Sequence, residues 1–417
     1  MTGDTQLQFN VLDPDFAADP YPSYEQLRAT GRVLKTEMGS GRVRTSLTGE
    51  ADLPSIWLLT RYDDCMAFIR DERSSADPTR SQLFRLLLNT MLGGEDSPAV
   101  RLIRSLLLFM DPPDHTRLRA LVQAAFSRRA VEELRPRITE LVHELLDERD
   151  ELDLVADFAY PLPVTVIAEM LGVPMDDRDA FSRWSRQLVD LFGTEDMSPE
   201  SMDQGNEAIL AMNDYFTGLA AERRGRPRND SLTALVEVED EGDRLTHEEL
   251  LATCLILLIA GHETTANLIT LGTLALLRDD AALTRLRREP GLVTSAVDEL
   301  LRYDSPVQFT ARTTLAPIEI DGTVIPEAQR VLVLLASGNR DPSQFADADR
   351  LVLDRSPNAH LAFGGGIHFC LGAPLARLET RIAFAELITR DIELASDDLQ
   401  WRRTLPIRGL HKLPVTL

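Results

Sequence analysis

The chain has 417 residues, with 44 Lys and Arg against 67 Asp and Glu, a net charge of −23, 44% hydrophobic and 27% charged residues. That balance belongs to globular chains and excludes wholesale disorder, and the length suffices to bury a core without disulfides or structural metals. An acidic surface disfavours nucleic acid and anionic membranes as partners, since both are polyanions.

Three cysteines, Cys65, Cys254 and Cys370, stand far apart with no C-x-x-C spacing, so no disulfide framework is expected and the expected compartment is the reducing cytoplasm. The first residues lack a basic stretch followed by an apolar one, so neither a signal nor a transit peptide is expected. The most apolar segment, 250–277, is cut by His262 and Glu263, and neither half reaches the roughly 18 apolar residues of a membrane span.

In chain order, a turn-rich start through Pro20-Tyr21-Pro22 leads to a short helix at 23–30. Ile56-Trp57-Leu58-Leu59-Thr60 reads as a strand running into a helix at 62–70. Residues 74–110 are poorly patterned for either element and predict a functional loop region. Asp111-Pro112-Pro113-Asp114 then marks a helix start, because proline tolerates the first turn and Asp caps free amides. Helices are expected at 115–126, 130–148, 163–171, 177–192 and 199–224. Thr246-His247-Glu248-Glu249 has the capping-box pattern and opens a helix to 277, roughly 46 Å long at 1.5 Å per residue. That helix is apolar on nearly every face, which predicts a place in the middle of the protein. A helix at 292–303, a hairpin at 318–325, a buried strand at 331–336 and a helix at 373–390 follow. The expectation is a mainly α protein with a small β region, folded as a single domain over 1–417.

Phe363-Gly364-Gly365-Gly366-Ile367-His368-Phe369-Cys370-Leu371-Gly372 is the strongest chemical signal. Glycines let the backbone approach something flat, and a Cys just before a helix faces the positive end of the helix dipole, so a low-pKa sulfur on a tight loop is expected. The plain alternative is a Gly-rich turn ending in a small buried residue. Zinc is not expected, because no second Cys or His pair lies at ligand spacing. A second signal, Ala260-Gly261-His262-Glu263-Thr264-Thr265, puts an acid and two hydroxyls inside the apolar helix. Burying a carboxylate is costly unless it is paired or hydrated, and Thr can bond back to the preceding turn and bend a helix. This is either a polar kink or a notch for proton delivery. Glu299 and Arg302 share a helix face at i, i+3, a spacing that by itself marks only surface decoration.

The Cys370 segment resembles the haem-binding loop of the cytochrome P450 monooxygenases, F-G-x-G-x-H-x-C-x-G, at every fixed position. Residues 260–265 are similar to that family's (A/G)-G-x-(D/E)-T-T segment, and Glu299 to Arg302 to its E-x-x-R. Order and spacing agree from D-P-P-D-H-T-R-L-R at 111–119 through N-R-D-P at 339–342 to the C-terminus. The resemblance implies a triangular, mainly α prism with a small β region and a long central oxygen-binding helix. It makes Cys370 the axial ligand of haem b iron, on a loop shaped by Phe363 and Gly364. His115, Arg119, Arg312 and His368 would bind the two haem propionates. Gly261 would leave room for dioxygen, Thr264 would hydrogen-bond the oxygen being activated, and Glu263 would relay protons. Glu299, Arg302 and Arg355 would brace the Cys370 loop.

The activity implied is hydroxylation or epoxidation of a bulky apolar molecule by O2, with electrons from NAD(P)H through a ferredoxin reductase and a ferredoxin. In style the chain is closest to the actinobacterial enzymes that tailor macrolides and other polyketides, and a monomer is expected. A peroxygenase, an oxidase of carrier-bound peptides and a non-catalytic haem sensor are the competing readings. Substrate contacts are expected within 74–110, 175–225, 304–310 and 404–411.

Overall fold

The computed structural model describes residues 9, 13–37, 43–44, 55–85, 94, 96–147, 149–193, 198–240, 245–404 and 406–417. Residues 86–93 and 95 of the expected loop region lie outside these.

The central helix, His247–Leu277, runs for 31 residues. Its start is the capping box: Thr246 Oγ1 accepts from the Glu249 amide at 3.2 Å, and Glu249 Oε2 accepts from the Thr246 amide at 2.9 Å. Among the described residues it alone is long and apolar enough to cross a membrane, but most of it is buried by protein. Helices Pro161–Met170, Val293–Tyr303 and Ala373–Leu387 pack along it and form, with it, the largest apolar cluster.

The β region is larger than the sequence pattern shows. Six strands pair in the order Val43–Arg44, Val33–Glu37, Ser55–Leu59, Arg330–Val333, Thr310–Thr314, Ser74–Ser75. Among the described residues, only the pair Ser55–Leu59 and Arg330–Val333 is parallel. The hairpin Ile318–Ile320 and Thr323–Ile325 forms around Asp321 and Gly322, both at positive φ (51° and 75°), the two-residue turn an Asp-Gly pair favours.

Several expected elements differ, and within the expected loop region Pro98–Ser105 is a helix. The strand expected at 331–336 stops at Val333, because both neighbours end opposite that residue, and Leu335–Asn339 turns into a short helix. The single helix expected at 130–148 is two, Arg128–Glu133 and Arg135–Leu146. Pro136 has no amide for the preceding turn and its ring collides with it, so the helix restarts there. The helix at the end stops at Leu387 rather than 390.

Candidate active site

The glycine loop is closed by its own backbone: the Gly364 amide donates to Leu361 O at 2.7 Å and the Cys370 amide to Phe363 O at 3.0 Å. Gly364 and Gly366 sit at φ 66° and 62°, where a side chain is strained. A Cβ on Gly366 would lie 3.1 Å from Ile69 O, and one on Gly365 3.2 Å from Met66 Sδ, so the loop rests against helix Tyr62–Arg70. Arg119 Nη2 donates to Phe369 O at 2.7 Å and pins the loop to helix Asp114–Val122. Arg377 stacks on the Phe363 ring, 4.5 Å from its centroid.

The Cys370 thiol departs from the sequence expectation. Burial pushes its pKa up, outweighing the Gly372 and Ala373 amides and the Arg119 and Arg377 charges that pull it down. The helix end alone does not ionise this sulfur; a cation bonded to it would.

Behind the loop, Glu299 and Arg302 are fully buried. Arg302 donates to both Glu299 oxygens and spans outward to the carbonyls of Asn339, Ala348 and Arg350. Glu299 also accepts from Arg355 Nε at 3.0–3.1 Å, from the Val352 amide at 2.9 Å and from Asn358 Nδ2 at 3.2 Å. One helix face thus fastens the whole stretch leading into the glycine loop.

His115 and His368 lie with ring centroids 4.2 Å apart. His115 is buried with neither ring nitrogen bonded, and His368 Nε2 has no partner. Arg312 is buried too, donating to Thr310 Oγ1 and Ala311 O, both at 3.0 Å. Burial lowers all three pKa values, and the mutual repulsion of neighbouring cations adds to it for the histidines: Arg312 falls to about 10 and His368 to about 3. Arg330, absent from the sequence reading, joins this group; burial and the nearby Arg312 lower it to about 10. Two adjacent histidines with unbonded ring nitrogens, beside buried arginines, are what two carboxylates of a flat cofactor would satisfy. Among the described residues no cluster of His, Cys, Asp and Glu could hold a metal unaided.

The central helix is open at its middle. Ala260 is exposed although it lies halfway along a buried helix, and Ile256 and Thr264, one turn to either side, are partly exposed. Thr264 Oγ1 donates to Ala260 O at 3.0 Å and Thr265 Oγ1 to Gly261 O at 3.3 Å. Gly261 does not face this opening: a Cβ there would stand 2.7 Å from Ile167 on helix Pro161–Met170. Its missing side chain lets two helices approach, and Ala260 is the small residue beside Thr264.

Glu263 is buried, and its partners come from elsewhere. Arg402 forms an ion pair with Oε1, and Asn267 Nδ2 donates to the same oxygen at 3.1 Å. His262 Nε2 stands 3.8 Å from Oε2. His262 is wholly buried; its Nδ1 donates to Leu258 O at 2.7 Å, leaving Nε2 toward Ser185 Oγ at 3.1 Å. Burial lowers its pKa, so the neutral ring is favoured. Asn267, four residues after Glu263, was readable as a helical neighbour. Arg402 carried no such signal, because it lies 139 residues away in an irregular stretch.

One thiol on a backbone-closed glycine loop, two adjacent histidines with unbonded ring nitrogens beside a buried arginine, and a partly exposed alcohol at the middle of the central helix fit a haem-thiolate, oxygen-activating class of protein. Residues 100–391 match the cytochrome P450 family model, and the chain belongs to that family. It is 43% identical to the cytochrome P450 monooxygenase PikC of Streptomyces venezuelae, covering 98% of this chain and 94% of that protein. It is 38% identical to 6-deoxyerythronolide B hydroxylase of Saccharopolyspora erythraea, covering 96% and 97%. Among solved structures it resembles P450BioI in complex with a hexadec-9Z-enoic acid-ligated acyl carrier protein, with a TM-score of 0.85 and 36% identity over 97% of this chain and 99% of that one. The fold is therefore the cytochrome P450 fold, and the chain is a monooxygenase related to macrolide and polyketide hydroxylases.

Proposed function

We propose that this enzyme hydroxylates or epoxidises a bulky apolar small molecule of the macrolide or polyketide type, with electrons delivered by a ferredoxin and its NAD(P)H-dependent reductase. The full-length similarity to 6-deoxyerythronolide B hydroxylase carries the substrate class. An apolar helix face at Ile256 and Ala260, beside Thr264, supports it.

Bound haem supplies an iron that activates dioxygen for insertion into a C–H bond or an alkene. The residues of this chain do the rest. Cys370 offers its sulfur from a backbone-closed loop. His115 and His368 hold the propionates with ring nitrogens that otherwise lack partners, Arg312 adds its charge beside them, and Arg119 ties the loop to helix Asp114–Val122. Thr264 gives up its bond to Ala260 O to orient a proton at the reacting oxygen, and Glu263 feeds that proton.

Two measurements test this. Reduced, carbon monoxide-treated protein should absorb near 450 nm, and Cys370→Ser should lose that band while Cys65→Ser and Cys254→Ser keep it. Titration with a macrolide and polyketide library should shift the haem absorbance, and reconstituted turnover should yield a product one oxygen heavier. A library without any shift would refute the substrate class.

A carrier-bound substrate is the second reading, favoured by the likeness to the carrier-bound P450BioI structure. Co-elution with an acylated carrier protein, against none with the free acid, would select it.

A further inference from the structure

Residues 401–404 and 406–410, joined antiparallel at Trp401 and Leu410 as the two arms of a hairpin, reach the middle of the central helix at two points. Arg402 pairs with Glu263 Oε1. Gly409 packs on Asn267 so closely that a Cβ would stand 1.8 Å from Asn267 Oδ1. Asn267 in turn donates to Glu263, through Nδ2 to its main-chain carbonyl at 2.8 Å and to Oε1 at 3.1 Å. Arg402 and Gly409 face each other across the hairpin, the Arg402 amide bonding to Gly409 O at 3.0 Å. The far end is anchored separately: Arg408 stacks on Trp401 with a 3.9 Å spacing, and donates to Asp304 Oδ1 and to Ala18 O, both at 2.9 Å.

We propose that Arg402 and Asn267 are positioning residues for Glu263, and that the 401–410 hairpin is the latch that aims this acid. The inference rests on the proton-relay reading of Glu263 and adds what sets its geometry. Arg402 and Asn267 both grip Oε1, so Oε2 is the oxygen left toward His262 Nε2 and able to exchange a proton. A buried carboxylate without these donors would seek other partners, since leaving it unpaired in a low dielectric is costly. The latch is built from outside the helix, so a change at Arg402 reaches the acid from a residue that is not on the central helix.

The test uses haem-loaded protein with a surrogate plant-type ferredoxin, its reductase, NADH and air. Arg402→Gln should slow oxygen-dependent NADH oxidation by about 10-fold or more and raise its solvent isotope effect. Arg402→Lys should restore the rate to within about twofold, because an ammonium still reaches Oε1. Gly409→Ala should slow turnover like Arg402→Gln, yet add nothing in an Asn267→Ala background, where no Oδ1 remains to be displaced. Independently of turnover, hydrogen exchange over 401–411 should quicken about tenfold in Arg402→Gln and Gly409→Ala.

Unchanged exchange, or quickened exchange with unchanged turnover, would overturn the latch. Glu263→Gln separates the two failures: if it turns over like wild type, the relay reading falls and takes the latch with it. If it is slow while Arg402→Gln and Gly409→Ala are normal, only the latch falls.

Discussion

Arg302 holds both carboxylate oxygens of Glu299 at 2.8 Å, one helical turn away, with both side chains wholly shielded from solvent. Beyond the pair itself, the hydrogen bonds that Arg302 donates and Glu299 accepts join it to chain between Asn339 and Asn358, the run that enters the glycine loop. Truncating one partner leaves the other charge buried and unpaired, typically at about 3–5 kcal/mol. Arg302→Leu and Glu299→Ala should therefore give protein with little bound haem, read as the ratio of haem to protein absorbance, and lower thermal stability. Arg355→Ala should be milder, since Arg302 still neutralises Glu299. A haem-loaded, thermally normal Arg302→Leu would reduce the pair to decoration.

Gly261 separates two roles for one residue. If its missing side chain serves helix packing, Gly261→Ala overpacks against Ile167, typically at about 1–3 kcal/mol. Gly261→Ala should lower the melting temperature, and Ile167→Ala combined with it should recover part of the loss. A normal melting temperature with slowed oxygen binding would return Gly261 to the oxygen site.

These residues show what the sequence could and could not reveal. Short-range chemistry was legible: the capping box at Thr246, the Asp321-Gly322 turn and the closed glycine loop all depend on neighbours within a few residues. Glu299 and Arg302 were visible as a pair, but their burial was not, because it depends on carbonyls 37 to 48 residues further on. Arg402 was invisible for the same reason over a greater distance. The direction of Gly261 also escaped, since a motif names a residue type but not the helix face it presents. The strand at 331–336 was over-extended because periodicity shows what could pair, while the neighbours decide where pairing ends.

Glu379 lies on helix Ala373–Leu387 with both carboxylate oxygens buried and unbonded. Burial raises its pKa well above the ordinary carboxylate value, so the folded protein holds the proton that the unfolded chain gives up. A raised folded pKa means full stability below the unfolded value, then loss as pH rises toward the folded value. Glu379→Gln, which mimics the protonated form, should match wild type near pH 4.5. It should exceed it progressively at higher pH, by about 1–2 °C in melting temperature per pH unit. Melting curves at pH 5, 6.5 and 8 check this; a gap that does not widen would mean that an unseen donor keeps Glu379 charged.

Thr264 is the residue on which coupling depends. Its hydroxyl points to Ala260 O at rest, beside the opening in the central helix, while Glu263 is held on the other side by Arg402 and Asn267. Acid and alcohol therefore do not touch in this resting arrangement, and the proton has to pass through a turn of the Thr264 hydroxyl or an ordered water. Thr264→Ala removes that last donor without disturbing Glu263. NADH consumption should stay near normal while product falls and released hydrogen peroxide rises, because protons still arrive but are no longer directed. Misdirected proton transfer costs on the order of 10²–10⁴-fold in the assisted step. Thr264→Ser keeps the hydroxyl and should retain most of the coupling. Glu263→Gln should slow consumption and product together, since protons then arrive late. The product-to-NADH ratio of the three variants on one substrate separates these outcomes. A fully coupled Thr264→Ala would move proton control to a hydroxyl of the substrate itself.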